Sequence, residues 1–500
     1  MLTLEQKLYQ LIINRLDGDK LSSVSYREQA IAFVNKGIGG FILFGGQKDE
    51  TKCFIDKLQS LSKLPLFIAS DVERGVGQQV GEATRFPSQM SVAAAINKNK
   101  ADDVELLKNA INAIAQEALE IGINMPLIPV LDVNRNPDNP IICTRAFSDD
   151  PEEVAWYGKT YITVLEEAGV LSCAKHFPGH GDTSIDSHIE LPVISKPLKE
   201  LLDIDVYPFR EAVRAGVSSI MTGHLSIPAF DIMPATLSEK IITGLLRKEL
   251  GYEGIIMTDA LNMSALKEYD HVPVQCINAG FDILLHPENV NSYIEELKQA
   301  LSYGEVKEET IDSAVTRILK SKSKIKRPKK PEGCNDNKSY SKHAVLSDTI
   351  SEKAVTLVKN TPGVLPVRDI HDVHLVFAGD EGVYNGSPLI NYVPNNTTLY
   401  SGAGLKPAPT VVVAIFTNIA AWKGSSGINE EGVQLIKKII KKSRHSVIIS
   451  FGSPYVLRHF NEADILIAAY DPTEQAQSSV IKCLKGELIF QGRLPVTLKP

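Results

Sequence analysis

The sequence predicts an α/β protein: an N-terminal (β/α)8-type (TIM-like) barrel followed by a smaller C-terminal α/β sandwich domain. Three observations carry this expectation. Five hundred residues exceed what one ordinary core accommodates, so two units are expected. Short apolar runs alternate with longer helical patterns, the mark of a parallel sheet covered on both faces. Most of those runs end in a polar or charged residue, as strands do when their C-termini open onto one functional face. The expected boundaries are 1–325 for the barrel, 326–344 for a linker and 345–500 for the second domain.

The elements follow in chain order. The opening "MLTLEQKLYQLIINRLDGDKL" reads as an amphipathic helix with charges throughout. Seven apolar runs then read as buried strands: "GGFILFGG" (39–46), "LPLFIASD" (64–71), "INMPLIPVLD" (123–132), "GVLSCAKHF" (169–177), "GVSSIMTGH" (216–224), "GIIMTD" (254–259) and "FDILLH" (281–286). They end in Asp71, Asp132, Lys175 with His176, His224, Asp259 and His286. Helix capping accounts for an aspartate or two, but not for His and Lys at equivalent positions. The basic stretch "LKSKSKIKRPKKPEGCNDNKSYSK" (319–342) has no apolar period and reads as a linker; an arm for anionic surfaces is the sharper alternative. Beyond it, "VHLVFAG", "PTVVVAIF", "HSVIISFG" and "ADILIAAYD" read as the buried strands of the second domain.

Bulk numbers narrow the function classes. A net charge of −7 speaks against a nucleic-acid footprint, and 43% hydrophobic with 23% charged residues fits a soluble globular protein. No run approaches the roughly 18 apolar residues of a membrane span. The N-terminus lacks the unbroken apolar region of a secretory signal, so a cytoplasmic location is expected. Six scattered cysteines without a CxxC pair read as reduced thiols.

One stretch is too polar for a core: "KHFPGHGDTSIDSH", residues 175–188. As a metal site it offers His176, His180, Asp182, Asp186 and His188, but in a Gly/Pro-broken loop without helical HExxH or Cys-based spacing. As a phosphate loop it lacks the GK[ST] ending and the GxGxxG order. As an acid–base device it is better equipped. Asp186 and His188 stand two apart, so an extended loop puts both on one side, where a carboxylate fixes the imidazole tautomer and supports proton delivery near neutral pH. A purely structural loop of Asx-turns is the plain alternative.

The whole KHFPGHG-xxxxDSH pattern closely resembles the signature of bacterial β-N-acetylglucosaminidases of glycoside hydrolase family 3. Segments 129–151, 220–266 and 279–287 resemble the same family in the same order, and 351–367 and 492–498 resemble its C-terminal domain. The resemblance implies retaining hydrolysis, with Asp259 as nucleophile, His188 as general acid/base and Asp186 as its orienter. Lys175, His176, Arg145 and Asp71 match sugar-holding positions, and Asp132, His224 and Asp282 are weaker candidates behind them. No metal and no cofactor are expected. The implied partner is a small carbohydrate with terminal N-acetylglucosamine, such as a muropeptide handled in cell-wall recycling. One departure stands out: the family usually reads "DQEGGRV" where this chain has "DVERGVGQQV" (71–80), so Arg74 replaces a glycine close to the sugar. The alternatives are a family 3 β-glucosidase or β-xylosidase, an N-acetylglucosaminide phosphorylase, and an inactive sugar-binding module.

Overall fold

The computed structural model describes residues 2–325, 337–367, 370–380, 382, 384, 386–399, 409–420 and 423–498. Eight short strands come first: β1 (Ile12–Asp17), β2 (Gly40–Phe44), β3 (Phe67–Ser70), β4 (Met125–Pro126), β5 (Cys173–Phe177), β6 (Ser219–Thr222), β7 (Ile255–Thr258) and β8 (Leu284–Leu285). They form a five-stranded arc, β4-β3-β2-β1-β8, and a three-stranded arc, β5-β6-β7, with every pairing parallel. Two single bridges join the arcs, Val130 to Lys175 and Met257 to Ile283. The result is a closed ring of eight parallel strands, the expected TIM-like barrel.

All seven runs read from the sequence fall on barrel strands. The eighth strand corrects the reading of the N-terminus. Helix ends at Gln10, and Ile12–Asp17 is β1, paired with both β2 and β8. Its residues alternate poorly because Asn14 and Arg15 interrupt the apolar run, yet Ile12, Ile13 and Leu16 are fully buried. The helix itself is real but short, closed by a capping box in which Thr3 accepts from the Gln6 N–H and the Gln6 side chain accepts from the Thr3 N–H. At the start of β2 a Cβ on Gly40 would lie 2.2 Å from the Phe67 carbonyl oxygen, so only glycine lets the two strands approach there.

Around the strands run the covering helices, among them Lys48–Leu61, Pro151–Ala168, Val290–Tyr303 and Glu308–Lys322. Each buries one apolar stripe: Ile311, Ala314, Val315 and Ile318 in the last of them.

By compactness the chain divides into two units. The first comprises Met1–Phe86, Lys108–Val133 and Pro151–Ala344; the second comprises Pro87–Leu107, Asn134–Asp150 and Val345–Pro500. The second unit is built on a six-stranded sheet from β9 (Thr356–Asn360), β10 (Val373–Gly379), β11 (Asn396–Thr398), β12 (Thr410–Phe416), β13 (His445–Phe451) and β14 (Ile465–Ala468). Its order is β11-β10-β12-β13-β14-β9, parallel except for the antiparallel edge strand β9. The four runs read as strands are β10, β12, β13 and β14. Leu375, Phe377, Phe416, Val447, Ile449, Phe451 and Ile467 form its core, with the Phe416 and Phe451 rings stacked 4.8 Å apart. Of the expected linker, 326–336 lies outside the described residues, and Asn337–Ala354 is helical. Cys334 lies outside them too; the five described cysteines are free thiols.

Candidate active site

The C-terminal ends of the barrel strands carry most of the candidate residues. Lys175, in β5, is 1% exposed, and its ammonium lies 2.5 Å from Asp71 Oδ1 and 2.8 Å from Glu73 Oε1. A buried lysine is tolerable only when paired, and here two carboxylates just past β3 pair it. Asp71 stays 30% exposed and keeps an open flank.

The next residue is tied in the same way. His176 Nδ1 lies 2.7 Å from Asp132 Oδ2, while the backbone N–H of His180 donates to Asp132 Oδ1 at 2.7 Å. Burial pushes the Asp132 carboxyl up, but His176 and His180 pull it below the ordinary carboxylate range. Asp132 therefore fixes both the orientation of His176 and the path of the chain leaving β5.

Asp259 follows β7 directly. Its N–H donates to the Thr222 carbonyl at 3.0 Å, and its Oδ1 accepts the Ala260 N–H at 2.7 Å. Burial raises its pKa, but His176, His224, the Ala260 N–H and His188 outweigh burial and set it at about 2. The carboxylate is thus ionised at any working pH, as a nucleophile must be. His224, past β6, meets Thr236 Oγ1 at 2.7 Å and the Ala260 carbonyl at 3.1 Å. Burial lowers its pKa, against the opposing pull of the Asp259 carboxylate.

The segment between β5 and the next helix, residues 178–197, brings in the imidazole. His188 Nδ1 is 2.8 Å from Asp186 Oδ1, which also accepts the His188 backbone N–H at 2.9 Å. One oxygen thereby sets both the tautomer and the pose of the ring, leaving Nε2 to exchange protons. Asp186 is buried, whereas the His188 side chain is 24% exposed. Beneath them His180 meets Thr183 Oγ1 at 2.8 Å and Ser187 Oγ at 3.2 Å, forming the polar spine of the segment. At its far end Lys196 pairs with Asp182 and, at 3.0 Å, with Asp205.

Two of the sequence candidates stand apart. Asp282 precedes β8 and accepts the Ile256 N–H at 2.8 Å at the beginning of β7, with Arg247 and, at 2.7 Å, Arg317 as ion partners. Three residues of strand, about 10 Å, separate Ile256 from Asp259. Asp282 therefore belongs to the opposite end of the barrel. Arg145 falls in the second unit, on the turn Cys143–Arg145, where its Nη1 donates to the Ile141 carbonyl at 3.1 Å. The sequence assigns no role to Glu73 or Lys196, and offers His180 only as a metal-ligand candidate. The two-residue spacing of Asp71 and Glu73 was the available signal for Glu73, since alternate residues of extended chain share a side. At Arg74 the backbone is held by Gln78 and Phe86. Among the described residues no three His, Cys, Asp or Glu side chains are arranged to hold a metal ion.

An ionised carboxylate within electrostatic reach of a carboxylate-bound imidazole suits the cleavage of an acetal, and comparison with known proteins gives the class. Residues 3–321 match the model of the glycosyl hydrolase family 3 N terminal domain. The chain belongs to glycosyl hydrolase family 3 and is a glycoside hydrolase. It is 36% identical to a protein named Beta-hexosaminidase A from Pseudoalteromonas piscicida, over 92% of this chain and 89% of that one. A Beta-N-acetylglucosaminidase/beta-glucosidase from Cellulomonas fimi is 28% identical over 93% of this chain and 90% of its own. Among solved structures, a family 3 beta-N-acetylglucosaminidase from Paenibacillus sp. str. FPU-7 superposes with a TM-score of 0.84 at 28% identity, covering 100% of this chain and 99% of the other.

Proposed function

We propose that the chain is a retaining β-N-acetylhexosaminidase that removes terminal, non-reducing N-acetylglucosamine from small glycosides. The observation that carries the reading is the His188–Asp186 pair standing within electrostatic reach of the ionised Asp259. In the first half-reaction Asp259 attacks the anomeric carbon while His188 Nε2 gives its proton to the departing glycosidic oxygen. The neutral imidazole then takes a proton from water, which releases the sugar from Asp259 with its configuration retained. Asp71, kept partly open beside Lys175, accepts from sugar hydroxyls, and His176 donates to them; Arg145 is proposed as a further sugar contact. All but Arg145 lie in the barrel, within residues 1–325.

The names of the relatives support the choice of sugar. A pocket built for a 2-acetamido group leaves a buried hydrogen-bond partner unmatched when glucose binds, which costs about 1–3 kcal/mol. That corresponds to roughly 5- to 150-fold in kcat/KM. Aryl N-acetylglucosaminide is therefore expected to be preferred over aryl glucoside by at least this margin, with retained configuration seen by NMR. Comparable kcat/KM on the two substrates would overturn the choice of sugar. A rate that requires phosphate would instead favour phosphorolysis. The finer reading, that the natural substrates are muropeptide fragments in the cytoplasm, rests on the sequence expectation and is tested by assaying isolated muropeptides and by cell fractionation. No described helix is long and apolar enough to cross a membrane.

A further inference from the structure

At the end of the barrel away from Asp259, the chain entering β6 and β7 and the last turn of helix Glu308–Lys322 enclose a cavity of about 260 Å3. Gly216, Val217 and Ser218 form one wall, and Gly251 to Gly254 another. The helix side supplies Arg317, Lys320, Ser321 and Lys324.

The cations of this cavity are incompletely matched. Arg317 spends its Nε on Asp282 at 2.7 Å, and its two Nη groups have no partner among the described residues. Asp282 is itself shared with Arg247, so the Arg247–Arg317–Asp282 group keeps a net positive charge. The Lys320 ammonium has no partner among the described residues, and Lys324 reaches only the Ser218 hydroxyl, at 3.4 Å. Ser321 is 7% exposed, and its hydroxyl is buried without a hydrogen-bond partner. Against these stand the exposed Glu253 on the wall and Glu166, whose Oε2 accepts from Ser218 Oγ at 2.8 Å. Lys320, Lys324 and the excess charge of the Arg247–Arg317–Asp282 group outnumber Glu253 and Glu166, which leaves the cavity positive. The two Nη groups of a guanidinium and two ammonium groups make the donor set that a phosphate dianion takes up.

We propose that this cavity is a second binding site, for a small phosphomonoester. The volume exceeds that of a bare phosphate, and the glycine-lined wall leaves room for a sugar-sized body attached to it. The site is separate from the glycosidase chemistry, because its residues lie at the strand N-termini and the proposed nucleophile at a strand C-terminus.

The test uses the full-length protein with inorganic phosphate and glucose 6-phosphate as probes and glucose as control. Saturable binding by calorimetry is expected for glucose 6-phosphate and not for glucose, together with protection of Lys320 and Lys324 from acetylation read by mass spectrometry. A Lys320→Glu/Lys324→Glu variant is expected to lose at least 10-fold in affinity while hydrolysing aryl N-acetylglucosaminide at the wild-type rate. Absence of saturable binding, unprotected lysines, or unchanged affinity in the double variant would each overturn the proposal.

Discussion

Asp259 and His188 show how far one residue's surroundings decide its chemistry. Burial alone would make Asp259 a poor anion; two histidines, a backbone N–H and a third histidine reverse that and hold it at about 2. Its charge contributes stability above the unfolded value of 3.8, lost as the pH falls towards 2, so at neutral pH the carboxylate is fully available. Asp259→Ala is expected to abolish turnover of an activated aryl glycoside, with no change in mean far-UV circular dichroism. His188→Ala is expected to lose about 10²–10⁴ in rate on natural sugars and much less on dinitrophenyl glycosides, whose leaving group needs no proton. Equal losses on both would mean that His188 holds the segment and does not move protons. The pairing of Asp186 with His188 was legible because two residues suffice to define it. Glu73 and Asp282 show the limit of such reading. The first gains its meaning from Lys175, 102 positions later. The second was misplaced because a carboxylate beside a strand reads alike at either end.

At the scale of elements, continuous apolar runs announced seven barrel strands, while β1 was hidden by the polar pair Asn14–Arg15. The short edge strands β9 and β11 carry too few apolar residues to stand out: TLVKN and NTT. The segment 178–197 carries the proposed acid–base pair, and Lys196 with Asp205 secures its far end. Burial pushes Asp205 up to about 6, against the pull of Lys196. Between the unfolded value of 3.8 and about 6 the folded state binds more protons than the unfolded one. This group therefore removes stability as the pH rises through that window. Asp205→Asn is expected to flatten the dependence of Tm on pH between about 4 and 6 relative to wild type. An unchanged slope would show that Asp205 titrates normally.

For the whole molecule, the alternation of runs with helices made both units visible, whereas the contribution of 87–107 and 134–150 to the second unit was not. Compactness is a property of contacts distant in sequence. The barrel also holds a charge that hydropathy cannot reveal. Lys322 is 2% exposed and donates to Gln10 Oε1 and the Gly39 carbonyl, both at 2.8 Å, with no carboxylate among its hydrogen-bond partners. Burial lowers its pKa to about 7. From about 7 up to 10.5 the unfolded chain binds the extra proton, so this lysine makes stability rise with pH across that window. Lys322→Met is expected to remove that rise, measured as the difference in Tm between variant and wild type from pH 7 to 10. Parallel curves would place the titration elsewhere.

The two single bridges that close the barrel have a consequence for what a bound sugar does to the protein. Asp71, Glu73 and Asp132 belong to the five-stranded arc, while Lys175, His176, His224 and Asp259 belong to the three-stranded one. Where the arcs meet at the Val130–Lys175 bridge, four backbone hydrogen bonds join the chain around β4 to that around β5, and the Lys175 and His176 ion pairs add side-chain rivets across the same joint. In the proposed mechanism a saccharide held by Asp71 on one side and attacked by Asp259 on the other spans the same joint. The proposed site is then laced twice, by side-chain pairs within the ring and by the sugar laid over it, so bound substrate is expected to stiffen the barrel where its two arcs meet.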